Sequence, residues 1–211
     1  LHASGNVEIL ALGKKGGEYL SRRGYKVNDA HADIFTRLNF SNVREIGETV
    51  CVVGRDGRLS GPTLMAGLTE GLLSVGVDVI DLGVVATPMV YFGTNIKING
   101  QQAKSGIMIT GSHNPPDYNG FKMVLGSSAI YGEQIQALRE RIIAKQFASG
   151  SGKCSEYDIF PEYVERIVGD VKLKRKIKIA VDCGNGVGGA FAGKLFRALG
   201  CEVEELFCEV D

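Results

Sequence analysis

Residues 50–82 read VCVVGRDGRLSGPTLMAGLTEGLLSVGVDVIDL and contain one complete strand–helix–strand pattern. The β-branched runs at 50–53 and 77–82 predict two buried strands. Between them, Pro62 suits the first turn of a helix that extends to about Val75, with leucines at helical spacing along one face. Two strands joined by a helix form a βαβ unit, in which the strands lie parallel.

The same alternation continues outward from this stretch. Further strands are predicted at 105–110, 121–125, 177–182 and 203–207. Further helices are predicted at 133–145, at 161–168, and from the glycine loop at 184–189 to about residue 199. We therefore expect an α/β protein with a mixed, mostly parallel sheet flanked by helices, followed by a partial second α/β domain.

The polar, glycine-rich stretch at 147–153 predicts exposed or flexible chain and a domain boundary. We expect residues 1–153 to form a first domain and residues 154–211 to form the N-terminal part of a second. One βαβ half is small for a domain, so we expect the natural protein to continue beyond it. Residues 1–48 have weak periodicity and predict no defined element.

Composition favours a small-molecule ligand over a macromolecular surface. The 24 basic and 24 acidic residues cancel, so no overall field would hold nucleic acid or an anionic membrane. No apolar run approaches the roughly 18 residues of a membrane span, and the first residues lack the order of a secretory signal. These features predict a cytoplasmic protein, and we expect a monomer.

The five cysteines are odd in number, form no C-x-x-C pair and lie mostly in apolar segments. This pattern predicts buried, reduced thiols and disfavours a metal site or disulfides. The cysteines are Cys51, Cys154, Cys183, Cys201 and Cys208.

The most reactive set of side chains lies in residues 110–122, TGSHNPPDYNGFK, between two predicted strands. A hydroxyl, an imidazole, amides, a carboxylate and an ammonium meet at a strand end, where α/β sheets bind ligands. Gly111 and Gly120 allow sharp bends, and the two prolines stiffen the middle. The loop would hold Ser112 forward. The same residue types also build ordinary turns, so composition alone leaves both interpretations open.

This loop resembles the active-site loop of the α-D-phosphohexomutase family, in which T-x-S-H-N-P presents a phosphoserine. The resemblance is close to the bacterial phosphomannomutase/phosphoglucomutase branch. Further blocks match that branch in order: GRDGRLSGP at 54–62, VDCGNGV at 181–187 and CEVD at 208–211. The match covers roughly residues 50 to 211, and several motifs in the right order are more specific than one.

The resemblance implies intramolecular phosphoryl transfer on hexose phosphates. Mannose or glucose 1-phosphate and the 6-phosphate would interconvert through a phosphoserine enzyme and a hexose 1,6-bisphosphate. Ser112 is implied as the carrier, and Lys122 as a cation or general acid/base. His113 would either assist proton transfer or orient the loop. A hydrolase triad is disfavoured because Ser112 and His113 are adjacent and the context is not G-x-S-x-G.

The resemblance also implies supporting residues and a cofactor. Arg58, Thr110 and Asn114 would support the phosphate loop. Mg²⁺ would bind a phosphate oxygen on Ser112, and the family's metal loop, D-G-D-x-D-R, would lie beyond residue 211. The family's N-terminal arginine motif has only partial echoes, at 18–22 and 33–37. We therefore expect the chain alone to be an incomplete catalyst.

Residues 54–58, GRDGR, leave two interpretations open. The segment follows a strand and precedes a helix, so backbone amides and Arg58 could face an anion. Alternatively, Arg55 and Asp56 pair locally and the glycines only turn the chain.

Two other functions compete with a mutase. The segment from Gly184 to Gly189 contains G-x-G-x-x-G after a predicted strand, and Glu209 follows about 20 residues later, which meets the fingerprint of a dinucleotide-binding oxidoreductase. That interpretation leaves the loop at 110–122 unexplained. The third possibility is a non-catalytic fragment or binding module.

Overall fold

The computed structural model describes residue 43 and residues 46–115, 118–144 and 148–211. The partial arginine motifs at 18–22 and 33–37 lie outside the described residues.

The described strands and helices follow the predicted alternation. The strands are β1 (Val50–Arg55), β2 (Asp78–Val84), β3 (Lys97–Ile98), β4 (Gln101–Gln102), β5 (Ser105–Ile109), β6 (Phe121–Leu125), β7 (Ser128–Ala129), β8 (Cys154–Glu156), β9 (Lys178–Asp182) and β10 (Glu202–Leu206). The helices are α1 (Gly61–Ser74), α2 (Thr87–Gly93), α3 (Glu133–Ala144), α4 (Phe160–Asp170) and α5 (Ala192–Ala198), with a 3₁₀ turn at Val187–Ala190. Among these helices, none is both long and apolar enough to cross a membrane.

Six strands form one mixed sheet in the order β7-β6-β5-β1-β2-β8. Strand β1 pairs parallel with both β2 and β5, and β2 pairs parallel with β8. The β5–β6 and β6–β7 pairs are antiparallel. The predicted class, a mixed sheet flanked by helices, is confirmed.

The central strand separates two hydrophobic cores, because successive side chains of a strand point to opposite faces. Cys51 and Val53 of β1 pack on the face covered by α1 and α3, with Leu68 of α1 fully buried there. Val52 packs on the other face, against α2 and residues around Ile159. Burial on both faces explains why β1 reads as a continuous apolar run.

A separate two-stranded parallel sheet, β9 and β10, forms the C-terminal unit. The 3₁₀ turn and α5 connect its strands, which gives the predicted βαβ order. The unit contacts the first sheet's helical layer through Phe160 and Phe191, whose ring centroids are 5.2 Å apart. Val210 packs against Gly57, in the loop that follows β1.

The sequence analysis missed helix α2 and four short strands, the two-residue strands β3, β4 and β7 and the three-residue strand β8. Helix α2 is only seven residues long and rich in aromatic and β-branched residues, which weakens any helical periodicity. Strand β8 is a fully exposed edge strand of three residues, with no apolar alternation to signal it. Because β8 pairs with β2, the first sheet extends to Glu156, three residues past the boundary proposed at 153. The two-domain division itself stays a prediction.

The glycine-rich connection before β8 is exposed but attached along its backbone. The N–H groups of Gly150 and Gly152 donate to the carbonyls of Ser74 and Leu73, at 2.8 and 2.9 Å. A Cβ on Gly150 would collide with the backbone of Gly76. The glycines therefore permit close packing against the end of α1, and the described part of this connection is not a free linker.

Candidate active site

The candidate site lies at the carboxyl edge of the central strands. The loop after β1 and the loop after β5 emerge side by side, because these strands are parallel neighbours. The N–H of Asp56 donates to the carbonyl of Ile109 at 3.0 Å and continues the ladder past the strand ends. Open α/β sheets commonly bind ligands at this edge.

Ser112 occupies a tight, left-handed turn. Its φ is 50°, a conformation that costs a non-glycine residue about 1–2 kcal/mol. The Ser112 N–H donates to Oγ1 of Thr110 at 2.9 Å. The backbone N–H and side-chain Nδ2 of Asn114 both donate to the carbonyl of Gly111, each at 3.0 Å. These bonds hold the turn, and Ser112, His113 and Asn114 are exposed on its outer side.

Arg58 reaches under this turn and binds four of its backbone carbonyls. Nη1 donates to the carbonyls of Pro115 and Tyr118, at 2.6 and 2.9 Å. Nη2 donates to those of Asn114 and Ser112, at 2.8 and 3.3 Å. The planar fork of donors on a guanidinium suits this multiple contact, which a lysine could not reproduce. Arg58 therefore acts on the loop, and its donors are engaged there.

Asp56 contacts both Arg58 and the backbone of the Ser112 loop. Its Oδ2 accepts the Gly111 N–H at 3.1 Å and lies 3.4 Å from Nε of Arg58. Its Oδ1 accepts the N–H of Arg58 at 3.2 Å. The two side chains are only 13% and 15% exposed, so the pair is largely shielded from solvent. We call Asp56 and Arg58 together the loop clamp.

Gly111 is required by this packing. A Cβ there would collide with the guanidinium group of Arg58. The glycine before Ser112 thus lets a charged side chain lie directly against the backbone that presents the serine.

The start of α1 is tied to the far end of the same loop. Oγ of Ser60 donates to Oδ1 of Asn119 at 3.0 Å, and Asn119 is buried. The N–H of Thr110 donates to the carbonyl of Gly120 at 2.9 Å, which closes the base of the loop. Both ends are therefore fixed to the sheet and to α1.

The structure brings four of the predicted site residues together, Arg58, Thr110, Ser112 and Asn114. The remaining two, His113 and Lys122, are exposed near the same edge. Lys122 is on β6 opposite Met108, and it alternates with Phe121 and Met123, which face the α1 side. Within the described residues, neither His113 nor Lys122 hydrogen-bonds to Ser112.

Asp56 is a residue of the loop clamp that the sequence analysis did not select as a site residue. The alternative in which it pairs with Arg55 is wrong, since Nη1 of Arg55 reaches only the backbone carbonyl of Asp56, at 3.5 Å. The carboxylate pairs with Arg58 instead. The sequence feature that could have identified this pair is an acidic residue and an arginine two positions apart, immediately after a buried strand.

The second glycine loop is closed on itself. Its amides at Gly184, Asn185 and Gly186 donate to Oδ1 of Asp182 and to the carbonyls of Phe207 and Cys183. Gly189 donates to Gly186, and a Cβ there would collide with the backbone of Cys208. A dinucleotide site needs such amides directed at the pyrophosphate. The geometry therefore counts against the oxidoreductase alternative.

The prediction of buried thiols is wrong for most of the cysteines. All five are free, but only Cys51 is buried; Cys154 is exposed and the other three are half-buried. Cys154 is on an exposed edge strand, and the others flank a sheet of only two strands, which buries little. Burial raises the pKa of the Cys51 thiol far above its ordinary value.

The sheet, its helical layers and the clamped serine loop define an α/β/α domain with a candidate serine-centred site. A model of the phosphoglucomutase/phosphomannomutase family, alpha/beta/alpha domain I, matches residues 14–149. The chain belongs to this family.

Individual relatives agree with this assignment. A phosphoglucomutase of Neisseria meningitidis is 50% identical over 190 residues, 89% of this chain and 40% of the relative. A phosphomannomutase/phosphoglucomutase of Pseudomonas aeruginosa is 51% identical over 165 residues, 78% of this chain and 35% of the relative. A crystal structure of a family protein from Burkholderia thailandensis matches with a TM-score of 0.86 and 46% identity, over 99% of this chain and 45% of that one. The chain thus spans less than half the length of these relatives.

Proposed function

We propose that this chain carries the phosphoserine site of an enzyme that interconverts the 1-phosphates and 6-phosphates of glucose and mannose, with Ser112 as the carrier. The observation that carries the proposal is the loop clamp, which holds an exposed serine in a strained turn at the carboxyl edge of the sheet. The relatives' names supply the two sugars.

The proposed reaction uses Ser112 twice. A hydroxyl oxygen of the hexose monophosphate attacks the phosphorus on Ser112, the bond to Oγ breaks, and a base takes the hydroxyl proton. The resulting hexose 1,6-bisphosphate then returns its other phosphoryl group to Oγ. Phosphoryl transfer depends mainly on positioning and charge stabilisation, so a rigidly held carrier is the first requirement.

The clamp supplies positioning and not substrate binding in this proposal. Arg58 already donates to four loop carbonyls and pairs with Asp56. Among the described residues that the sequence analysis selected, Lys122 and, when protonated, His113 are the cations that the loop carbonyls do not engage. We assign Lys122 to charge stabilisation or proton transfer and His113 to orientation of the loop or proton transfer.

We propose one Mg²⁺ ligand in this chain, the phosphate of a phosphorylated Ser112. A phosphoserine at Ser112 would offer a hard anionic oxygen of the kind Mg²⁺ prefers, and a bound Mg²⁺ would neutralise charge on the phosphoryl group. Among the described residues, no group of three or more His, Cys, Asp or Glu side chains is placed to hold a metal ion. A cytoplasmic location accompanies the proposal, since free thiols suit a reducing compartment.

Mass spectrometry tests the proposal. The full-length enzyme that carries this chain is incubated with glucose 1,6-bisphosphate and Mg²⁺, and its intact mass and phosphopeptides are measured. We expect one phosphoryl adduct of about 80 Da on Ser112. Ser112→Ala should lose the adduct. Ser127→Ala is the matched control, because Ser127 is also an exposed serine with positive φ but lies in the turn between β6 and β7, away from the clamp.

The outcome separates the alternatives. An adduct that persists in Ser112→Ala, or maps to another residue, would remove Ser112 as the carrier. No adduct in the unsubstituted protein under these conditions would favour a non-catalytic role.

A further inference from the structure

The ends of β9 and β10 bring two half-buried thiols together outside the candidate active site. Cys183 directly follows β9, and Cys208 lies two residues beyond β10. Their Sγ atoms are 3.3 Å apart. The sequence gives no hint of this pair, because 24 residues separate the two cysteines and only the parallel register of the strands joins them.

The backbone around the pair allows a covalent link. Phe207 has a φ of 50°, so the chain leaves its extended form after β10, and Sγ of Cys208 lies 3.6 Å from the carbonyl of Val181 on β9. Neighbouring strands lie about 4.8 Å apart. Disulfides join cysteines whose Cα atoms are roughly 4.4–6.8 Å apart, so thiols at the adjoining ends of paired strands are within reach of each other.

We propose that Cys183 and Cys208 are a redox-active pair that closes to a disulfide when a low-molecular-weight disulfide acts as the oxidant. One cysteine thiolate attacks the oxidant, whose sulfur–sulfur bond breaks and releases one small thiol. The other cysteine attacks the mixed disulfide, forms the Cys183–Cys208 bond and releases the second small thiol. The two protons leave with the released thiols, and two electrons pass to the oxidant.

The surroundings of Cys183 disfavour its thiolate form. Burial, followed by the hydrogen bond from Cys208, raises the pKa of Cys183 to about 11. Because the thiolate is the nucleophile, this raised pKa favours a mildly alkaline pH for the exchange. Either thiol of the pair can begin the exchange, and the other then resolves the mixed disulfide.

The link would fix a segment that touches the candidate active site. Nδ2 of Asn185 donates to the carbonyl of Glu209 at 2.8 Å, and the N–H of Asp211 donates to the carbonyl of Asn185 at 3.1 Å. In the same segment, Val210 packs against Gly57, the neighbour of Arg58 in the loop after β1. Oxidation would thus tie the second glycine loop to chain that lies against the loop clamp.

Peptide mapping after oxidation tests the proposal. The folded chain is incubated with oxidised glutathione at mildly alkaline pH, remaining thiols are alkylated, and the protein is cleaved with trypsin and then after glutamate. Cleavage after Glu202 separates Cys201 from Cys208, which share a tryptic peptide. Cys201→Ser is the matched control, and circular dichroism verifies that each variant folds.

We expect the unsubstituted chain and Cys201→Ser to lose both thiols of the pair and to yield one linked Cys183–Cys208 peptide. Cys183→Ser should instead retain glutathione on Cys208, because the resolving thiol is gone. The proposal fails if Cys183 and Cys208 stay alkylatable while exposed Cys154 becomes glutathionylated. It also fails if the links that form join Cys201 or Cys154.

Discussion

Two glycine-containing loops that each follow a strand of a parallel pair differ in what holds them. The loop around Ser112 follows β5, the loop that starts at Gly184 follows β9, and each contains residues with positive φ. The second is held by its own backbone and the chain after β10. The first is held by two charged side chains from another loop, which act on its carbonyls and on one amide.

The difference explains why only one loop is a candidate active site. A glycine loop binds an anion when its amides are free to point at it. In the second loop, the amides of Gly184, Asn185, Gly186 and Gly189 donate to Asp182 and to nearby carbonyls, and a Cβ on Gly189 would collide with the backbone of Cys208. In the first loop the clamp fixes the backbone while the Ser112 side chain remains outside and exposed. The local motif alone does not distinguish these cases.

Removing the arginine of the clamp should have the largest effect on stability. Arg58→Ala leaves the Asp56 carboxylate and four carbonyls without their donor in a largely shielded site. Loss of one partner of such a pair costs about 3–5 kcal/mol. We expect urea denaturation to show a decrease of that size in the free energy of unfolding.

The matched control comes from the other unit. Arg197 pairs with Glu205 at 2.7 Å, but the two side chains are 49% and 36% exposed. Arg197→Ala should therefore cost less than about 1 kcal/mol. Equal losses in Arg58→Ala and Arg197→Ala would mean that the clamp is no stronger than a surface ion pair.

Substitution of Gly111 or Gly184 by alanine should lower the free energy of unfolding by intermediate and unequal amounts. Gly111→Ala forces the Arg58 guanidinium out of its place, and overpacking of this kind costs about 1–3 kcal/mol, to which lost carbonyl contacts add. Gly184→Ala meets open space and bears only the strain of a φ of 51°, about 1 kcal/mol. Denaturation midpoints rank the two variants, and the reverse order would contradict the role given to Gly111.

The smallest change in the free energy of unfolding is expected when the exposed ion pair between β9 and β10 is removed. Lys178 and Glu202 are 3.1 Å apart, and both side chains are more than 70% exposed. Glu202→Gln should change the free energy of unfolding by about 0.5 kcal/mol or less, because solvent screens such pairs. A loss above about 2 kcal/mol would show that this small sheet depends on its ion pairs.

The sequence predicted correctly the helices and strands that have a strong hydrophobic periodicity. Strand β6 matches its predicted bounds, and α1 is within one residue at each end, because a long apolar face and Pro62 mark it. Strand β8 was missed since an exposed three-residue edge strand has no such pattern. The sequence analysis identified only one of the two residues of the loop clamp. Arg58 was selected through resemblance, while Asp56 needed the register of β1 and β5 to bring it to Gly111.

The rate at which Ser112 is phosphorylated tests the central claim, that the clamp positions this serine for transfer. Arg58→Lys keeps the charge but lacks the fork of donors that holds four carbonyls. The full-length enzyme that carries this chain and its Arg58→Lys variant, both shown to be folded by circular dichroism, are mixed with glucose 1,6-bisphosphate labelled in its phosphoryl groups and Mg²⁺. We predict label on Ser112 at a rate at least about tenfold lower in the variant, because small misplacements of a reacting group slow transfer strongly. Equal rates, or label on another residue, would contradict the account.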